Sequence, residues 1–334
     1  MSYIAECVDN IHETVQLLDS LGLTVHPEKS VLRPTKCIKF LGFWIDSVEM
    51  KITLTNEKAK AIVQLGNEIL QTELVVIRKL AQLIGKLVAS ELGVNYAPLY
   101  YNVLEIEKDD ALKQNYGNFE AKLKLSDEGR SCIQWWIDNV ESSFKLIEIQ
   151  EPVLILKSDS SMYAWGCINE TTGECTRDTW SEIEQQCHIN YLELKAGFLS
   201  IKHFCKNTKN CHVQLYMDNT VAVTYINKMG GKIKTLNDLT RQIWHWCIVK
   251  NIWISACHVA GVENKEADFL SRDKNSDMEW MLNTEVFHLY KRFLEIVILI
   301  YLHQKIIINY QNMFHTYLTN ILKQLMHLVY LGPI

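Results

Sequence analysis

Apolar residues recur along this chain with two periods, and the switches between them divide it into stretches. Ile4, Val8, Ile11, Val15 and Leu18 return every three or four residues up to Gly22, which predicts an amphipathic helix over 4–21 closed by a glycine. Two apolar runs follow, LTVHPEKSVL and CIKFLGFWID, divided by a turn-prone stretch holding Pro27 and Pro34, and both read as strands. From 54 to about 150 the period is helical. IVQLGNEILQ, VVIRKLAQLIGKLVASEL and CIQWWIDNVESSF each place apolar residues at three and four, with lysine-rich faces outward. Beyond 151 the periods alternate. Val153, Ile155 and Lys157 against Leu154, Leu156 and Ser158 form a largely buried strand that reaches Asp159, and a second apolar run follows. WGCINETTGECTRDTW then reads as a hairpin turning at TTGE. A helix comes next, with Ile189, Leu192, Ala196 and Leu199 as its stripe and Glu193 at the stripe's edge. VQLYMD is a strand ending on Asp218, 236–249 is helical, WISACHVAG is a strand running into a loop, and NKEADFLSR opens a last helix bearing Asp268. Alternating strands and helices predict an α/β fold for this section.

Composition narrows the class. With 334 residues, 48% hydrophobic and 22% charged, the chain is globular and long enough for two or three domains. A net charge of −5 argues against a broadly basic surface and leaves room for a local groove. Ten cysteines without a CxxC pair, and an opening without a signal peptide, predict reduced thiols and an intracellular, cytoplasmic or nuclear location. The apolar run at 293–302 carries Glu295 and is shorter than the roughly 20 residues a bilayer requires, so no membrane partner is expected.

Four acids stand at element ends or on inward helix edges: Asp159, Glu193, Asp218 and Asp268. Cleaving a phosphodiester with two divalent cations about 4 Å apart needs several carboxylates converging from different elements, because hard oxygen ligands hold Mg²⁺ and balance its charge. Two strand ends and two helices are able to bring such a set together. Asp109 and Asp110 lie in a polar stretch without a preceding strand and read as surface charge. Arg78, Lys79 and Lys86 read either as phosphate contacts or as the solvated face of a helix.

These strings resemble a known family. LGLTVHPEKS with IKFLGFWID is similar to the end of a retroelement reverse transcriptase palm, and 54–150 resembles its thumb and connection by position. SDSSMYAWG, HINYLELKAG, LYMDNTVAVTYINKMGG, IWHWC and HVAGVENKEADFLSR resemble the ribonuclease H domain of DIRS-type retrotransposons, which carry a tyrosine recombinase. The likeness covers about 2–280. It implies a ribonuclease H-like mixed five-stranded sheet flanked by helices over 151–275, after a palm remnant at 1–53 and a helical thumb or connection at 54–150. The implied activity is hydrolysis of the RNA strand of an RNA/DNA hybrid. Asp159, Glu193, Asp218 and Asp268 would bind two Mg²⁺, for which Mn²⁺ could substitute. By the same resemblance His258, ten positions before Asp268, transfers a proton or assists product release. Asn264, with Glu263, falls near substrate and metal. Asn219 either touches the minor groove of the hybrid or caps the following helix. Other retroelement proteins are implied as further partners.

YMDN at 216–219 resembles the YxDD turn of polymerases but lacks the final acid and follows the thumb-like helices, so it belongs to the nuclease. No polymerase site is found, and the chain resembles a fragment without fingers and most of the palm. A retroviral-type integrase would share the fold and use Asp159 and Asp218, yet it would need a glutamate on a later helix than the one carrying Glu193. A catalytically silent, nucleic-acid-binding relic is the alternative to the nuclease. Past DMEWMLNTEVF the likeness stops, and 276–334 is expected to be a divergent, frameshifted tail: ILIYLHQK and NMFHTYLTNILKQLMHL can each be encoded so that the frame one base back gives a tract similar to the family's. The competing reading of that tail is a C-terminal helix.

Overall fold

The computed structural model describes residues 3–148 and 150–272, so the frameshift and helix readings of the tail lie outside the described residues. Helix α1 (Tyr3–Ser20) follows its apolar stripe and ends where foreseen: Gly22 has φ 74°, and Leu23 N–H reaches back to the Leu18 carbonyl at 2.9 Å. The next run departs from expectation. LTVHPEKSVL is irregular apart from one 3₁₀ turn at Pro27–Lys29, and Pro27 has no N–H to donate to a ladder. CIKFLGFWID does form a hairpin, β1 (Cys37–Phe40) and β2 (Phe43–Asp46). Its two-residue turn, Leu41–Gly42, has φ of 48° and 83°, the positive values a tight right-twisting hairpin demands. Strand β3 (Lys51–Leu54) pairs antiparallel with β2.

Helices α2 (Asn56–Leu70), α3 (Ile77–Val88), α4 (Ala97–Gln114) and α5 (Asp127–Asn139) realise the helical section, with β4 (Val75–Val76) before α3 and β5 (Lys122–Leu123) before α5. Ser126 caps α5, accepting from Gly129 N–H at 3.0 Å. Ile62, Ile69, Leu80, Leu87, Leu104 and Trp136 meet in one core. The section is not helical throughout: β4 pairs with β5, and β6 (Phe144–Leu146) returns to pair with β3, completing the sheet order β1-β2-β3-β6.

From 151 the chain builds a second sheet. Strands β7 (Leu154–Ser160), β8 (Ala164–Asn169) and β9 (Cys175–Thr179) form an antiparallel meander. After α6 (Ile189–Phe204), β10 (Cys211–Met217) pairs parallel with β7. Helices α7 (Thr220–Asn227) and α8 (Lys234–Val249) lead to β11 (Ile252–His258), parallel to β10, and α9 (Lys265–Arg272) closes the described chain. The order β11-β10-β7-β8-β9 puts β7 at the centre of a mixed five-stranded sheet flanked by helices, as expected for this section. Leu156, Leu192, Val213, Leu215, Ile243, Trp244 and Ile254 form its core. Helix α9 lies so close to β8 that a Cβ on Gly166 would collide with Leu270 Cβ, which is why only glycine fits there.

The two cores adjoin. Leu99 of α4 is fully buried among the residues of the second core, Asn102 donates to the Met229 carbonyl at 3.4 Å, and Arg241 of α8 pairs with Glu128 of α5. Among the described residues no helix is long and apolar enough to cross a membrane.

Candidate metal centre

Parallel pairing of β7 with β10 sets their carboxyl ends side by side, and α6 crosses behind them. Asp159 is the penultimate residue of β7, Asp218 follows the last residue of β10, and Glu193 lies just past the first turn of α6. One carboxylate oxygen from each lies within 4.8 Å of the others. Asp159 and Glu193 are 2% and 3% exposed, while Asp218 is half-buried, so the trio reaches from the core toward the surface at Asp218. The alternation that buries Leu156 and Ser158 does not by itself bury Asp159; the packing of α9 across β7 and β8 does.

The electrostatics follow from this crowding. Burial, reinforced by Asp159 and Asp218, pushes Glu193 up to about 9, against a backbone hydrogen bond from Ser160. Burial pushes Asp159 up to about 6; the Ser271 hydrogen bond opposes it, while Asp218 and Asp268 add to it. Glu193 Oε2 is buried without a hydrogen-bond partner. Converging acids, one with an orphaned oxygen, fit a hard divalent cation, whose charge would offset their repulsion and fill the missing contact.

The other anticipated residues divide. Asp268 lies on α9 beside the trio but is not one of the converging three; its carboxylate pairs with Arg272 one turn on. Asn264, expected near substrate and metal, lies next to β7 beside Asp159. It is 1% exposed, and its amide donates to the Ser158 carbonyl at 3.1 Å, so it ties the loop before α9 to β7. Asn219 caps α7, accepting from Ala222 N–H at 2.9 Å, and its amide donates to Asn190 Oδ1 at 3.0 Å. His258 is exposed at the end of β11, in register with Met217 and hence beside the strand end that carries Asp218. Glu263 is exposed in a 3₁₀ turn. Of the basic residues on α3, Arg78 pairs with Glu120 and Lys79 with Glu68, while Lys86 is exposed. Asp109 and Asp110 are on α4 in ion pairs with Lys108 and Lys113.

Two residues near the acids were not singled out from sequence, Ser271 and Arg272. A signal existed: Asn264, Asp268 and Ser271 are spaced by four and three, so they share one helical face with the acid.

No protein-family model matches the chain, and no curated protein matches it. Solved structures do. RNase H1 from the halophilic archaeon Halobacterium salinarum NRC-1 aligns with 35% of this chain and 92% of its own at 15% identity, TM-score 0.31. LC11-RNase H1 in complex with RNA/DNA hybrid aligns with 35% of this chain and 92% of its own at 18% identity, TM-score 0.29. A foamy viral protease-reverse transcriptase in complex with double-stranded DNA aligns over 77% of this chain at 14% identity, TM-score 0.34, and the chain spans 44% of that protein. The functional reading rests on the geometry above. The mixed five-stranded sheet, with Asp159 and Asp218 at the ends of its central parallel strands and Glu193 reaching them from α6, has the fold expected of a ribonuclease H-like section.

Proposed function

We propose that this chain is a ribonuclease H from a DIRS-type retroelement, hydrolysing the RNA strand of RNA/DNA hybrids with two Mg²⁺, or Mn²⁺ in their place. The observation that carries this is the trio Asp159, Glu193 and Asp218, gathered within 4.8 Å with an unpartnered glutamate oxygen. A divalent metal held by Asp159, Glu193 and Asp218 would supply charge that lowers the pKa of a water and stabilises a departing 3′ oxygen. The chain's own residues do the rest. Asp159 and Glu193, both buried, and the half-buried Asp218 would hold that charge, and Asp268 would join them if it were released from Arg272. His258, exposed beside the end of β10, exchanges a proton with the leaving oxygen or eases product release. Selection of the hybrid comes from 2′-hydroxyl contacts on one strand and backbone shape on the other. Helices α2 to α5 would support the duplex.

The test is cleavage of a hybrid labelled on its RNA strand, using the full chain with Mg²⁺ or Mn²⁺. Asp159→Asn keeps the volume and removes a charge; the expected loss exceeds the roughly 10–100-fold that an outer partner of a metal site typically costs. Equal cleavage by wild type and variant, with contaminating nuclease excluded, would refute the assignment. One observation favours a binding relic instead, the pairing of Asp268 with Arg272. The relic predicts hybrid binding without turnover in the same assay.

A further inference from the structure

Ser271 is one turn beyond Asp268 on α9, yet its hydroxyl serves a different acid. Ser271 Oγ donates to Asp159 Oδ2 at 2.5 Å, with both side chains almost wholly buried. A serine inside a helix ordinarily turns its hydroxyl to a carbonyl three or four residues back, and the Asp268 carbonyl is indeed 3.0 Å away. A hydroxyl has one proton, and the shorter contact is the one to a carboxylate, where charge strengthens the bond.

The backbone of α9 is held independently of that bond. Ser161 Oγ donates to the Ser271 carbonyl at 2.6 Å, and Asn264 ties the loop before α9 to Ser158. The Ser271 hydroxyl is therefore not the only tie of the helix to β7, and what it adds is a constraint on the Asp159 carboxylate itself. With Oδ2 engaged, rotation about the last bond of Asp159 is fixed.

We infer that Ser271 is a positioning residue of the metal centre: its hydroxyl fixes the Asp159 carboxylate so that Oδ1 is the oxygen left for a divalent cation. This inference rests on the metal-dependent reading of the trio. It assigns Ser271 no contact with substrate or metal.

The experiment is a calorimetric titration of Mn²⁺ into the full chain without nucleic acid, alongside thermal unfolding of the metal-free protein. Wild type is expected to bind and Asp159→Asn to lose binding. Ser271→Ala should bind about 10-fold more weakly, in line with loss of a partner to a metal ligand, while its KM for hybrid at saturating Mn²⁺ stays within about 2-fold of wild type. Ser161→Ala removes the separate tie to α9 and should leave Mn²⁺ affinity within about 2-fold. Wild-type affinity in Ser271→Ala overturns the inference, as does an equal loss in Ser161→Ala, which would mean that docking of the helix is all that matters. Absence of Mn²⁺ binding by wild type would instead overturn the metal reading itself. If Ser271→Ala loses its unfolding transition, Ser271→Cys, similar in size and a weak donor, takes its place: weakened Mn²⁺ binding supports the inference and wild-type affinity overturns it.

Discussion

Glu193 and Asp159 are the residues whose chemistry the fold changes most. Both carboxyls titrate above their ordinary range in the folded chain, so the native state without metal holds protons that the unfolded chain has already released. The sign follows. Their contribution to stability is fully present below pH about 4, where both states are protonated, and it is lost as pH rises through about 6 for Asp159 and about 9 for Glu193. Thermal unfolding of the metal-free protein should therefore show a component falling between pH 5 and 9, and Glu193→Gln should flatten it and raise Tm at pH 8. Adding Mn²⁺ to wild type should raise Tm again at the alkaline end, through a stabilisation of about 2.7 kcal/mol at a hundred times Kd. A Glu193→Gln protein less stable than wild type without metal at pH 8 would contradict this account of the site.

At the scale of elements, the helical section and the sheet of 151–272 are packed against one another. Leu99 stands on α4 but is fully buried in the core built around β7 and β10, while Tyr100 beside it stacks on Trp135 of α5 with ring centres 3.7 Å apart. Leu99→Ala should cost about 2–5 kcal/mol, the range for truncating a buried leucine whose site collapses only in part. Urea unfolding followed by tryptophan fluorescence reads this directly, since Trp244 and Trp253 lie in or against the same core. Loss of stability confined to the helical section, with the sheet unfolding as in wild type, would show that the two pack independently.

At the scale of the molecule, the metal-ligating side chains of the described residues converge in one place. Among the described residues the trio around Asp159 is the one group of three or more metal-ligating side chains that converges. The polymerase-like string at Tyr216 to Asn219 contributes to that trio through Asp218, while Asn219 caps a helix. Templated primer extension by this chain should accordingly be undetectable under conditions where the hybrid is cut. Measurable extension would mean that a second pair of acids gathers metal elsewhere.

Local pattern alone determined most of the elements, while the resemblance to ribonuclease H strings singled out the acids among 39 Asp and Glu. Period-two alternation around Leu156, helical spacing through Leu192 and Ala196, and the turn at Gly173 each depend on neighbours a few residues apart, which a sequence displays directly. The convergence of Asp159, Glu193 and Asp218 was legible for the same reason, since each acid sits at a fixed place on a readable element. Tertiary structure decided the rest. LTVHPEKSVL has strand-like composition but no partner strand, and β6 looks like the end of a helical section until β3 offers it an edge. Asn264 turned inward because the docking of α9 against β7 brings the Ser158 carbonyl to its amide, whereas the pairing of Asp268 with Arg272 is an i,i+4 contact within one helix that spacing alone allows. The bond from Ser271 to Asp159 joins residues 112 positions apart. The spacing of Asn264, Asp268 and Ser271 sets the serine on the face of the acid, but its partner Asp159 is decided only once the last helix has closed over the central strand.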